Sequence, residues 1–273
     1  MRTAESVFAR VVVGVDGSAQ GFEACRQAAR LAPPGALLEA VAVVHLSDAV
    51  HAAFRAAEVA DELGLAADRA LDRAARILGE TAETRFVNGF AVTALIREIE
   101  ATGATLVALG SHGHRRSAEM LLGGVSGDML HQAPCSVLIA RRPAGETVER
   151  VFPRSIVVGV DGSPEAALAL AAAAELVERL GARLRVVVAA GGKGVNLSEA
   201  RAQAPGLDEV PGRPVPALVE AARAADLLVV GSRGLHGFAA LGSVSERVAH
   251  EASCSVLVVR HAGAAGGAHL LRG

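Results

Sequence analysis

The sequence predicts an α/β protein built from two repeated, open parallel-sheet domains, and three observations carry that prediction. Short β-branched runs alternate with segments of helical composition, the pattern of parallel strands covered by helices on both faces. The run Arg10–Val15 ends in Asp16-Gly17-Ser18, and the run Ile156–Val160 ends in Asp161-Gly162-Ser163. Further anchors then return in the same order. Leu106–Leu109 with its glycine turn returns as Leu227–Val230 with Gly231-Ser232-Arg233-Gly234, Gly123-Gly124-Val125-Ser126 as Gly242-Ser243-Val244-Ser245, and Cys135-Ser136-Val137-Leu138 as Cys254-Ser255-Val256-Leu257. Anchors repeated in order mark an internal duplication.

Taken in order, Arg10–Val15 (RVVVGV) reads as a strand. Asp16-Gly17-Ser18 is a turn closed by a helix-capping residue, and Ala19–Leu31 is the helix it opens, stopped by Pro33-Pro34. Leu37–Val44 is a second strand, His45–Ala57 a loop, and Val59–Leu78 a helix with Gly64 as its weak point. Thr84–Val87 is the third strand, Ala91–Ala101 a helix and Leu106–Leu109 the fourth strand. Val125–Gln132 is a helix ending before Pro134, and Ser136–Ala140 the fifth strand. Domain 1 is expected over 1–141, a polar, proline-containing linker over 142–154, domain 2 over 155–261 and a tail over 262–273. The second copy is shorter. Its strand Leu184–Ala190 runs into the Gly-, Pro- and Ala-rich stretch Gly191–Pro216, where no counterpart of the Val59–Leu78 helix is legible. Its loop Leu235–Leu241 is also two residues shorter than His114–Leu122.

Composition narrows the function classes. The 273 residues are 51% hydrophobic and 21% charged, as in folded globular proteins. A net charge of −2 does not point to nucleic acid or an anionic membrane surface. No uninterrupted apolar run is long enough for a transmembrane helix, and the opening MRTAESVFAR lacks the apolar core of a secretion signal. Three cysteines without a CxxC spacing fit a reducing cytoplasm and argue against a disulfide framework or a zinc site.

The stretch Leu106–Ser126 carries the chemistry. A buried strand stops at Gly110, Gly110 and Gly113 form a G-x-x-G turn, and Gly123-Gly124 open a helix. Glycines let backbone approach an anion, and a helix N-terminus offers free N–H groups and the positive end of its dipole. Neither loop ends in the G-K-[S/T] of a P-loop, and no nucleophile elbow is present, so catalysis has no motif to stand on.

Together, the strand–Asp-Gly-Ser start, the strand–G-x-x-G-x9-G-helix stretch and the Cys-Ser-Val-Leu final strand resemble the universal stress protein family, and the doubled chain resembles its tandem form. The resemblance covers roughly 9–141 and 154–261. It implies a Rossmann-like five-stranded parallel sheet of order 3-2-1-4-5 in each domain. It also implies pairing of the two copies through their last strands, with a homodimer as a further step. In that order the crevice where strand order reverses lies beyond strands 1 and 4, so Asp16 and Gly110 would meet there. From ATP-binding members the resemblance places Gly14, Val15, Asp16 and Leu46 on the adenine side. Leu109, Gly110 and Gly113 fall at the ribose, and Gly123, Gly124, Val125 and Ser126 at the phosphates. The expected ligand is ATP, with Mg2+ as its companion ion. Gly124 departs from the family's Ser or Thr, a loss of one hydrogen bond to a charged group worth about 1.5–3 kcal/mol. Domain 2 offers a second, weaker site at Val160, Asp161, Val230, Gly231, Gly234, Gly242, Ser243 and Val244, with the hydroxyl present at Ser243.

Other residues read more simply. Asp16 and Asp161 have two readings, ligand contact or turn cap. His112 and His114 lack a third metal ligand, and Arg233 stands in place of His112 in the second copy. Arg115 and Arg116 read as solvated loop residues ahead of phosphate contacts. His131 and His250 occupy equivalent helix C-termini, where a cation is favoured, and the cysteines before the last strands read as packed thiols. The expectation is a cytoplasmic nucleotide-binding module of the stress response, not an enzyme, with at most slow incidental ATP hydrolysis. It has no nucleic-acid or membrane partner. The alternative is a nucleotide-free scaffold acting through domain pairing and partner contacts.

Overall fold

Alternation along strand β1 (Arg10–Val15) sets the layers. Val11, Val13 and Val15 pack into one buried cluster with helix α1 (Ala19–Leu31) and helix α2 (Ala56–Leu78), and Val12 packs into a second cluster on the opposite face. This is how a strand buried on both sides reads in a parallel sheet. The computed structural model describes residues 6–45, 56–113, 122–141, 151–192, 194–232 and 244–260. Strand β2 (Leu37–Val44) follows α1, and α2 leads to strand β3 (Glu83–Asn88). Helix α3 (Ala91–Thr102), strand β4 (Leu106–Gly110), helix α4 (Gly124–Gln132) and strand β5 (Ser136–Ala140) complete the first half. Gly64 does not interrupt α2, and no described residue lies within 4 Å of a Cβ there.

The second half repeats the order. It runs through β6 (Ser155–Gly159), α5 (Pro164–Leu180), β7 (Arg183–Ala189), α6 (Leu197–Gln203), β8 (Asp208–Val210), α7 (Pro214–Ala221), β9 (Leu227–Gly231), α8 (Val244–Glu251) and β10 (Ser255–Val259). The stretch Gly191–Pro216 therefore does hold a helix, α6, reduced to seven residues where α2 has 23. Asn196 caps it by accepting a hydrogen bond from the Glu199 amide. Only Ala200 of this helix is buried, so it has almost no apolar stripe to read in the sequence.

The strands form one ten-stranded sheet of order β3-β2-β1-β4-β5-β10-β9-β6-β7-β8. Each half has the order 3-2-1-4-5, parallel within itself, and the halves meet where β5 and β10 run antiparallel with Leu138 opposite Leu257. Both buried clusters continue through both halves. Among the described residues no helix is long and apolar enough to cross a membrane.

Candidate functional site

Strands β1 and β4 are neighbours, with Val13 opposite Ala108, so Asp16 and Ser111 emerge side by side at the sheet's C-terminal edge. Strand order reverses here: β2 lies beyond β1 on one side and β5 beyond β4 on the other. The Asp-Gly-Ser turn builds itself from its own atoms. The Asp16 carboxylate accepts from the Ser18 amide at 2.9 Å, and the Ser18 hydroxyl accepts from the Gly21 amide at 3.0 Å as the cap of α1. The turn-cap reading of Asp16 is thus an observed contact. The carboxylate nevertheless reaches the glycine loop: a Cβ on Gly113 would lie 2.3 Å from Asp16 Oδ2.

The stem of the loop is pinned at three places. The Gly123 amide donates to the Ser111 carbonyl at 2.6 Å, and the Ser111 amide to the Ala140 carbonyl at 3.0 Å. The buried Ser126 hydroxyl donates to the Gly110 carbonyl at 2.7 Å. Ser126 therefore uses its side chain to tie α4 to β4 and leaves only backbone for a ligand. Gly110 is fixed by packing, since a Cβ there would sit 2.7 Å from the Gln20 carbonyl carbon of α1. Gly123 lies against His112, whose Cα is 3.3 Å from where its Cβ would be, and Ser111 Oγ is 3.1 Å from His112 Nδ1.

Helix α4 begins with Gly123 as its cap, no side-chain cap and no acidic residue in its first turn. No described residue lies within 4 Å of a Cβ on Gly124, and Val125 is exposed. The first N–H groups of a helix lack intrahelical partners, so this end presents donors and positive potential. Gly14, Val15 and Leu109 belong to the core: Val15 and Leu109 are buried, and a Cβ on Gly14 would be 2.5 Å from Leu109 Cδ2. At this level they can offer a ligand only backbone. Leu46, like His114, Arg115 and Arg116, lies outside the described residues. Next to it, His45 and Phe90 meet with ring centroids 4.1 Å apart at the ends of β2 and β3.

The second half differs at each point. Asp161 and Ser163 repeat the turn, with the Ser163 amide 2.9 Å from Asp161 Oδ1. Here, however, the Asn196 amide donates to the Asp161 carbonyl, and a Cβ on Gly162 would be 2.5 Å from the Asn196 carbonyl oxygen. The lead-in to α6 thus lies on the turn. Val160 and Val230 are buried, and Gly231 is pressed against the Glu165 carbonyl. Val244 opens α8 half-exposed, and Glu246 places a carboxylate in its first turn. Gly234, Gly242 and Ser243 lie outside the described residues.

Comparison with known proteins agrees with this architecture. The sequence model of the universal stress protein family matches residues 8–141 and 190–260. The chain belongs to the universal stress protein family. It is 31% identical to a universal stress protein of Mycolicibacterium smegmatis over 92% of this chain and 96% of that one. It is 32% identical to a universal stress protein of Mycobacterium tuberculosis over 58% of this chain, a match spanning 62% of that relative's length. The crystal structure of a universal stress protein from Archaeoglobus fulgidus superposes with a TM-score of 0.68 at 23% identity, covering 93% of this chain and 96% of that one, a likeness of fold. Universal stress proteins act in the stress response and are generally not enzymes.

Two residues absent from the sequence reading stand out in this universal stress protein. Arg141 and Arg260 directly follow β5 and β10, and both are buried. Burial lowers both side-chain pKa values, that of Arg141 to about 10. The Arg141 guanidinium donates to the carbonyls of Ala249 at 2.5 Å and Cys254 at 3.3 Å. That of Arg260 donates to the carbonyls of Leu130 and Ala133. Their shared place in the repeat, directly after the last strand, was the available signal.

Proposed function

We propose that this universal stress protein is a nucleotide-binding module whose site lies in the first half, with ATP or a related adenine nucleotide in the crevice beyond β1 and β4. The observation that carries the reading is the meeting of Asp16 with Gly113 beside the uncapped N-terminus of α4. Gly14, Val15, Asp16 and Leu46 take the base side, Leu109, Gly110 and Gly113 the ribose, and the backbone of Gly123–Ser126 the phosphates. A cradle in which a Cβ at Gly113 would collide with Asp16 and one at Gly123 would press tightly on His112 admits backbone close to an anion.

The second half is the poorer candidate. The first turn of α8 carries an acidic residue, Glu246, whose carboxylate lies 3.0 Å from His131 Nε2 of α4, whereas the first turn of α4 has none. The scaffold reading draws on the unbroken sheet across β5 and β10 and on the missing hydroxyl at Gly124.

The test uses the absence of Trp and Tyr, which leaves the protein itself nearly transparent at 260–280 nm. Purified protein is denatured and filtered, and the filtrate chromatographed against adenine nucleotides; calorimetric titration with ATP follows. Released nucleotide or saturable heat supports the reading. An empty filtrate together with no heat at millimolar ATP leaves the scaffold reading in its place.

A further inference from the structure

We infer that Arg260 is a positioning residue for the first-half site: the second half serves as a built-in partner that anchors the phosphate helix α4 from behind. This rests on the proposed nucleotide site at the N-terminus of α4. The guanidinium leaves β10 and forks onto the carbonyls of Leu130 and Ala133, at the end of α4 opposite the glycine pair. The Arg260 amide donates to Ser136 Oγ at 3.1 Å, which fixes the root of the side chain on β5. Glu246 of α8 adds a second hold on the same end of α4, its carboxylate 3.0 Å from His131 Nε2.

The geometry of α4 explains why such an anchor matters. The helix has nine residues and buries only Ser126, Met129 and Leu130. A helix that short draws little stability from its own hydrogen bonds, so its placement depends on tertiary contacts. Its last carbonyls have no partners within the helix, and a planar fork satisfies two of them at once while adding a cation at the negative end of the dipole. A buried guanidinium bonded to carbonyls is an expensive way to build a core, whereas a shift of the helix by an ångström at its phosphate end is what such a fork prevents. The inference gives the second half, whose own turn is covered by Asn196 and whose helix start carries Glu246, a reason to be kept.

Arg141 supplies the internal control. It is as buried as Arg260 and holds α8 by the same kind of contact, its guanidinium donating to Ala249 and Cys254 where that of Arg260 donates to Leu130 and Ala133. Arg260→Met and Arg141→Met in the full chain should therefore lower the melting temperature alike. They should separate in amide hydrogen exchange: Arg260→Met speeds exchange across Gly124–Gln132, and Arg141→Met speeds it across Val244–Glu251. Calorimetry with ATP should show affinity falling roughly fivefold or more for Arg260→Met, the lower end of ordinary site-to-site coupling, and staying within twofold for Arg141→Met. Arg260→Lys, which keeps the charge without the fork, should fall between wild type and Arg260→Met and serves if the methionine variant does not fold. Equal exchange in both helices for both variants, or unchanged α4 exchange and ATP affinity in Arg260→Met, overturns the inference. If the wild-type chain takes no ATP, the nucleotide reading fails by itself, and the exchange pattern alone decides whether Arg260 anchors α4.

Discussion

Gly113 stands where a Cβ would lie 2.3 Å from Asp16 Oδ2, so the two motifs, far apart in sequence, share one van der Waals boundary. A methyl group at this position must push Oδ2 aside and so shift the carboxylate whose Oδ1 accepts from the Ser18 amide at 2.9 Å. Gly113→Ala should therefore act on the ligand more than on the fold. ATP affinity should drop by more than about tenfold, a loss of about 1.4 kcal/mol, while the melting temperature moves by no more than about 2–4 °C. Gly110→Ala is the contrasting variant. Its Cβ meets the Gln20 backbone at 2.7 Å, so overpacking should cost about 1–3 kcal/mol of stability. Calorimetry and thermal melts on the two variants separate the roles.

Asp16→Ala and Asp161→Ala remove matched contacts, each a carboxylate oxygen 2.9 Å from the second amide downstream. The net loss per hydrogen bond should be about 0.5–1.5 kcal/mol in both. Only Asp16→Ala should also weaken ATP, because the second turn lies under Asn196. Equal loss of ATP affinity in both variants would remove the first-half assignment.

Among the described residues nothing lies within 4 Å of a Cβ on Gly124, so a side chain there displaces none of them. Gly124→Ser restores a hydroxyl beside the proposed phosphate position and replaces glycine within a helix. ATP should bind more tightly by up to about 1.5–3 kcal/mol, the worth of a hydrogen bond to a charged group. The melting temperature should rise slightly from the better helix propensity. A Ser variant with raised melting temperature and unchanged ATP affinity would place the phosphates elsewhere.

Most of the fold was legible because strand and helix signals here are local. Arg10–Val15, Ala19–Leu31, Leu37–Val44 and Ser136–Ala140 fall in the structure where their residues place them, the first helix being fixed by the Ser18 cap. What escaped depends on contacts distant in sequence. Helix α6 buries one alanine and is held by the turn it covers, which no periodicity reveals. The family resemblance places Ser126 at the phosphates, yet its hydroxyl is taken by Gly110 across the loop stem. Arg141 and Arg260 look like surface residues flanking a strand. Only the antiparallel meeting of β5 and β10 carries each onto the far half's last helix.

The three thiols give a prediction about pH. Cys25, Cys135 and Cys254 are buried and free, and desolvation pushes their pKa values up to about 12, 12 and 11. Unfolded thiols ionise near their ordinary value, so above it the unfolded state gives up protons that the folded state keeps. Stability from these groups is complete below about pH 8.5 and is lost as pH rises toward the folded values. Arg141, lowered to about 10, releases its penalty only above that pH. From about pH 8.5 upward the cysteines therefore lower stability as pH rises. The melting temperature should fall over that range, and a Cys25→Ala, Cys135→Ala, Cys254→Ala triple variant should show a flatter profile from a lower starting stability. In the native protein at pH 8, a disulfide exchange reagent should label the thiols only as fast as the chain opens, with full labelling on adding denaturant. Rapid native labelling of any one cysteine would contradict its burial.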